Sequence, residues 1–322
     1  MFKYVIKRIL MLIPVMLGAT FLVFTIMEFS PGDPVRIILG QDATPEAIEQ
    51  MTHEMGLDQP FLVRYVKFVA DMVQGDLGVS YRNNRDVLGL ILNRLPNTLV
   101  LAGSAVVLAV LIGIPVGVVS ALKQYTWFDN ITMVITLILA AAPVFWLGLM
   151  LVITFSLKLG WLPPAGMGKG FAELIKTLIL PSVTLCGSTA ALIARTTRSS
   201  MLEVVRQDYV DTARAKGVKE SAVTLRHMLK NALIPIITVV GLQFGVMLGG
   251  SVLVESIFSW PGVGRFVVDS IKAKDIPCVL GSVVTLAILF TLVNLVVDLL
   301  YAFVDPRILS QYKKAKAKEA VR

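Results

Sequence analysis

The sequence predicts an all-α polytopic membrane protein with six transmembrane helices. Three observations carry this: of 322 residues 56% are hydrophobic and only 16% charged, well below the roughly one quarter charged in soluble domains. The third is a set of six apolar runs, at about 9–29, 98–122, 131–157, 178–197, 236–258 and 280–304, each near the ~20 residues needed to span hydrocarbon.

The first run follows Lys3, Lys7 and Arg8, as a signal peptide would. It is too long for a signal h-region, and Glu28-Phe29-Ser30-Pro31-Gly32-Asp33 offers no small-x-small cleavage site, so it is read as a retained helix. Orientation follows from the loop cations. With the N-terminus inside, the inner segments hold 17 Lys and Arg, seven of them in 198–235, and the outer segments hold 12, matched by 12 acidic residues. Both termini are therefore expected in the cytoplasm, and the net charge of +8 reflects topology rather than nucleic-acid binding.

The long outer loop, about 30–97, reads as structured. Thr44-Pro45-Glu46 is a helix start and Gly56 a stop. Phe61, Tyr65, Phe68, Val69 and Met72 share one helical face, while Leu62, Val63 and Val66 lie opposite, so this helix either lies on the membrane or packs on the bundle. Gly75-Asp76-Leu77-Gly78 is a turn. Within the spans, Gly113-x-x-x-Gly117 and Gly241, Gly245, Gly249 place small residues on one face, where helices can approach closely. Pro115 and Pro143 are expected to kink their helices.

Ionisable groups in the spans are few: Glu28 and Glu255 near outer ends, Arg195 near the inner end of the fourth, and Asp298 inside the sixth, read as bracing helices near the cytoplasmic face. This sits poorly with an ion-coupled transporter, whose pathway usually carries buried charge. Cys186 and Cys278 read as unrelated small hydrophobes. No CxxC or Cys/His cluster points to a metal, and His53 and His227 fall on opposite sides of the membrane. No nucleophile elbow, zinc signature or same-side pair of catalytic groups supports a membrane enzyme.

The inner stretch 198–235 is the most informative. Ser200-Met201-Leu202-Glu203 reads as a capping box opening a helix in water. Ala213 and Ala215 leave a low surface for a partner, and Gly217 stops the helix as a C-cap glycine does. A second helix begins near Ser221, carries Arg226, His227 and Lys230, and re-enters the membrane at Asn231-Ala232-Leu233-Ile234-Pro235. Topology alone accounts for the charges; a docking role accounts for the ordered cap, small-residue patch, stop and proline.

The order Asp211-Thr212-Ala213-Arg214-Ala215-Lys216-Gly217, then His227-Met228-Leu229-Lys230-Asn231-Ala232-Leu233-Ile234-Pro235, resembles the "EAA" loop of bacterial ABC-transporter permeases of the oligopeptide/dipeptide/nickel family. The resemblance extends along the chain through Ser30-Pro31-Gly32-Asp33-Pro34, Gly56-Leu57-Asp58-Gln59-Pro60, Gly75-Asp76-Leu77-Gly78-Val79-Ser80 and Arg94-Leu95-Pro96-Asn97-Thr98. It continues in Phe258-Ser259-Trp260-Pro261-Gly262-Val263-Gly264-Arg265 and in the segment from Asp298-Leu299-Leu300-Tyr301 to Asp305-Pro306-Arg307. The long first outer loop resembles the B-type subunit. Asp211 and Thr212 stand where the general motif has Glu and Ala.

The resemblance implies one type I importer transmembrane domain over 1–322, with a coupling loop at 198–235 and a cytoplasmic tail at 305–322. It implies half of a peptide pathway in the bacterial inner membrane, paired with a paralogous permease and served by an extracytoplasmic binding protein. Two ATPases would dock on Asp211, Thr212, Ala213, Arg214, Ala215, Lys216 and Gly217, with Pro235 anchoring the loop. Substrates of the same family, nickel and glutathione among them, remain alternatives. The chain has no Gly-x-x-x-x-Gly-Lys-Ser/Thr phosphate loop. No cofactor is expected on it, and ATP and magnesium would be bound by partners. Trp260-Pro261-Gly262 is either a gate at the outer mouth or a tight loop held by an interfacial tryptophan.

Overall fold

The computed structural model describes residues 2–40 and 42–304, and among them the only β pairing is an isolated bridge between Val79 and Asp86. Fourteen α-helices follow in order: α1 (Phe2–Phe29), α2 (Pro34–Leu39), α3 (Pro45–Glu54), α4 (Phe61–Val73), α5 (Val87–Leu92), α6 (Leu95–Leu122) and α7 (Trp127–Ala141). The rest are α8 (Val144–Leu151), α9 (Phe171–Val205), α10 (Asp208–Ala215), α11 (Glu220–Ala222), α12 (Lys230–Ile257), α13 (Val263–Lys272) and α14 (Ile276–Val304). Two π-helical turns, Val152–Lys158 and Val223–Leu229, extend α8 and bridge α11 to α12. The chain divides into two compact units: Met1–Val100 with Ala165–Met167 and Leu248–Thr291, and Leu101–Pro164 with Gly168–Met247 and the described part of Leu292–Arg322.

Five stretches are long and apolar enough to cross a membrane: Leu10–Phe29, Val87–Leu122, Phe171–Val205, Glu220–Ile257 and Ile276–Val297. The expected third span is instead a pair, Trp127–Ala141 and Val144–Lys158, bent by 103° at Pro143. A residue before proline is pushed out of the α region, and Ala142 is accordingly extended, with ψ 129°. Loop contacts in the first unit decide how this pair counts. The carboxylate of Asp275, just before the last span, accepts from the Ser80 hydroxyl and from the Tyr81 amide at 3.1 Å, both between the first and second spans. Loops that touch lie on one side, so an even number of crossings separates them. The bent pair therefore crosses once, making six. By contrast, α6 is continuous through Pro115.

The first unit holds the long loop. Thr44 caps α3 and accepts from the Ala47 amide, while Gly56 closes its end at φ +64°. The aromatic face of α4 packs on α1: Phe61 and Tyr65 meet Phe21 and Phe24, the Tyr65 hydroxyl donates to Leu17 O at 2.8 Å, and Arg64 pairs with Glu28. Leu62, Val63 and Val66 stay exposed on the opposite face. The helix thus packs through one face, settling the choice left by its sequence. Gly75 and Gly78 turn the chain at φ +86° and +81°. Beyond them, Leu77, Val87, Leu90, Ile91, Val263, Cys278 and Val284 form one core cluster.

Glu255 is fully buried in this unit, and among the described residues no ion pair includes it. Its carboxylate accepts from Thr98 Oγ1 at 2.8 Å, Ser251 Oγ at 3.0 Å and the Arg265 amide at 2.9 Å. Three donors satisfy a charge that would otherwise be costly to bury. The last of them is the N-terminus of α13, where a negative charge is favoured. A side chain at Gly262 would overlap this carboxyl group. Trp260, expected to be interfacial or part of a gate, is fully buried and donates through Nε1 to Asn97 O at 2.9 Å. The tight loop is correct; its anchor is the interior of the unit.

In the second unit the Gly113 and Gly117 face of α6 lies on α9. A Cβ at Gly113 would sit 2.9 Å from Ala190 O, and one at Gly117 2.5 Å from Ala194 O. Gly241 meets Val297 of α14, whereas Gly249 faces open space, so the expected glycine ladder is used only in part. Cys186 and Cys278 are buried, unpaired and in different units. The side chain of Asp298 and the tail 305–322 lie outside the described residues. Gly117→Val should destabilise the protein by about 1–3 kcal/mol, because overpacking against backbone cannot relax through side-chain rotation. Thermal unfolding in detergent checks this, with Gly249→Val as the comparison that should change little.

Candidate functional site

The stretch expected to open with a capping box does not do so. α9 runs unbroken from Phe171 to Val205, with Ser200 and Met201 buried inside it. Packing of this face overrides a short capping signature that only local sequence supports. The exposed helix is α10, which starts two residues later, after Arg206 and Gln207, without a side-chain cap. Asp208 and Asp211 instead place negative charge in its first turn, where the helix dipole favours it.

The end of α10 is as Gly217 forecast. Gly217 has φ +76°, its amide donates to Arg214 O at 2.9 Å, and the Val218 amide donates to Ala213 O at 3.2 Å. That pair of reversed bonds is a Schellman closure, which needs a left-handed residue at this position. Any side chain there would be strained.

One face of α10 is inward. Val210 and Ala213, three residues apart, are buried against the π-helical turn, whose Val223, Thr224 and Met228 are also buried. Ala213 was expected on a docking surface; it is instead the seat of the helix, small because the turn lies close. Asp211, Thr212, Arg214, Ala215, Lys216 and Gly217 are exposed. Among these, Thr212 donates to Asp208 O at 2.9 Å, and Arg214 is tied down by Glu220 Oε1 at 2.8 Å, with Asp211 at 3.5 Å. The neighbouring Glu220 carboxylate raises the Arg214 guanidinium pKa above its usual value. Tyr209, 40% exposed, adds an aromatic ring to the surface of α10.

Pro235 was expected to mark re-entry. It lies inside α12 with its ring exposed, and helix continues from Glu220 through the π turn to Ile257. Proline is tolerated inside membrane helices, where neighbouring groups can satisfy the carbonyl it leaves free. Sequence reasoning also missed Val210 and Glu220. Val210 was readable, since its spacing to Ala213 is that of one helical face; Glu220 was not, since its partner lies across a turn.

The arrangement is a short helix rigidly capped, seated on the next helix, and exposed between the fourth and fifth spans. It has no catalytic grouping, and among the described residues no cluster of His, Cys, Asp and Glu could hold a metal. Gly217→Val should loosen α10 by about 1–2 kcal/mol, the usual cost of a left-handed non-glycine residue. Hydrogen exchange at the Val218 amide should then quicken about tenfold; unchanged exchange would contradict the cap.

Residues 113–310 match the family described as "Binding-protein-dependent transport system inner membrane component", and residues 1–102 match its N-terminal counterpart, "Binding-prot-dependent transport system membrane comp, N-term". The dipeptide transport system permease protein DppB of Alkalihalophilus pseudofirmus is 43% identical over 331 residues, 96% of this chain and 99% of that protein. The glutathione transport system permease protein GsiC of Escherichia coli (strain K12) is 43% identical over 308 residues, with the same coverage of each. Among solved structures, an inward-facing MetNI methionine ABC transporter aligns with a TM-score of 0.57 at 18% identity, over 67% of this chain and 96% of that one, a likeness of fold. The chain belongs to the binding-protein-dependent transport system inner membrane component family, the permeases of ABC importers.

Proposed function

We propose that this chain forms half of the translocation pathway of an ATP-driven peptide importer in the bacterial cytoplasmic membrane. A paralogous permease supplies the other half. α10 is the element on which separate ATPase subunits dock, through Asp211, Thr212, Ala215, Lys216 and the Arg214 staple, with Gly217 fixing the end and Ala213 the seat. ATP and magnesium belong to those subunits, since this chain lacks a phosphate loop. An extracytoplasmic binding protein delivers the substrate. The excess of Lys and Arg in the segments on the α10 side supports a cytoplasmic α10 and cytoplasmic termini.

The observation that carries this reading is α10 itself. It is a helix closed at its C-terminal end and seated by Val210 and Ala213, and it leaves a polar face that, among the described residues, only Glu220 of its own chain touches through Arg214. A surface of this kind can pass on a push because its C-terminal end is closed and its inner face is seated on the next helix. The dipeptide and glutathione permeases are equally similar to the chain, so glutathione is the second substrate reading. Nickel and an ion-coupled mechanism are weaker alternatives.

The test uses the assembled complex in liposomes, with labelled dipeptide and labelled glutathione supplied separately. Lys216→Glu combined with Ala215→Trp, on the open face, should cut binding-protein-stimulated ATPase activity and transport by about tenfold or more, as loss of a central interface anchor does. Full ATPase co-purification and transport by this variant would refute docking on α10. Transport by the purified chain alone, without ATPases, would favour the ion-coupled alternative.

A further inference from the structure

We infer that Asp129 and Arg198 are positioning residues that make the corner between α6 and α7 follow the end of α9 when α10 is displaced. This rests on the reading of α10 as the ATPase docking element.

The sequence boundaries hid this pair. The third apolar run was placed from about 131 and the inner loop from 198, so both residues looked like loop charges; both are in helices. Asp129 is 1% exposed. Arg198 grips it with two parallel bonds, Nε to Oδ1 at 2.7 Å and Nη2 to Oδ2 at 2.7 Å. The Ser120 hydroxyl of α6 donates to Oδ1, and the Tyr125 amide donates to Oδ2 at 3.1 Å. Tyr125 sits at φ +63° in the four-residue turn between α6 and α7, a conformation that costs free energy in a bulky residue. One carboxylate thus gathers the end of α6, the strained turn, the start of α7 and α9.

Its place along α9 gives it leverage. Arg198 precedes the helix end at Val205 by seven residues, about 10 Å at 1.5 Å per residue. Two further residues lead into α10. Motion of α10 therefore reaches Arg198 through a short, unbroken helix. The pair joins α9 to α7, which also packs along it, while α9 meets α6 through glycine and small-residue packing at Gly113 and Gly117 and the hydroxyl pair Ser104–Ser182 at 2.7 Å. Such faces permit sliding. A bidentate ion pair fixes both distance and angle, and among the described residues it is the only ion pair that joins α9 to another helix. A buried pair adds little net stability compared with an apolar replacement, which leaves direction of movement as what it supplies.

The assembled transporter in liposomes tests this by the ratio of labelled dipeptide transported to ATP hydrolysed. Asp129→Asn and Arg198→Gln are compared with the double variant, which leaves neither charge unpaired and so protects folding. Both singles and the double should assemble and hydrolyse ATP, while transport per ATP falls about tenfold, within the usual range of coupling between sites. Two results overturn the inference: a double variant with the wild-type ratio, or one whose transport and hydrolysis fall in step. Failure of all three to assemble also overturns it, because the pair would then be a folding element. If the unaltered complex shows no ATP-driven transport, the importer reading itself fails instead.

Discussion

Much of this chain is helix long and apolar enough to lie in hydrocarbon, where a polar group left without a partner within the protein is costly. That constraint explains why the buried carboxylates Glu255 and Asp129 are so fully engaged. Glu255 has three donors and, among the described residues, no ion-pair partner; Asp129 has a serine, a backbone amide and a doubly bonded arginine. The first closes the Trp260–Arg265 turn onto its own unit. The second gathers three helices and a strained turn. Neither could be replaced by water, so each fixes the local backbone that supplies its partners.

The same constraint sets what can hold the helices together. With no hydrophobic force between apolar helices in lipid, close approach matters, and small residues provide it. Gly113 and Gly117 bring α6 onto the carbonyls of α9, and Gly241 does the same against Val297. Polar ties then set the register that packing leaves free. α10 stands outside this regime. It is held by the closure at Gly217, by two buried apolar residues and by an arginine staple, which suits an element that meets another protein.

Much of this was legible in the residues. Thr44-Pro45 and Gly56 delimit α3, and Gly217 ends α10, because in exposed segments capping and left-handed turns follow residue type closely. Gly113 and Gly117 announced a close contact, though not that α9 receives it. Ser200 to Glu203 misled, since a capping box says nothing of the packing that carries α9 past it. Pro143 was expected to kink a helix; the 103° corner is larger because the next turn starts a separate helix. Asp129 and Arg198 were invisible as a pair: 69 positions separate them in the chain, and only the fold brings them together. Ala213 was assigned to the docking face on its size, whereas its size serves the seat of α10.

The central claim is that the open face of α10 receives the ATPase subunits in the cytoplasm. Ala215→Cys gives a thiol on that face, and the native Cys186 and Cys278 are buried. Labelling with a membrane-impermeant maleimide in inverted membrane vesicles, with and without the co-expressed ATPases, reads the face directly. The account predicts rapid labelling of the permeases alone and protection once the ATPases are present. Labelling that is equal in both, or that occurs only from the outer side of the membrane, would contradict it.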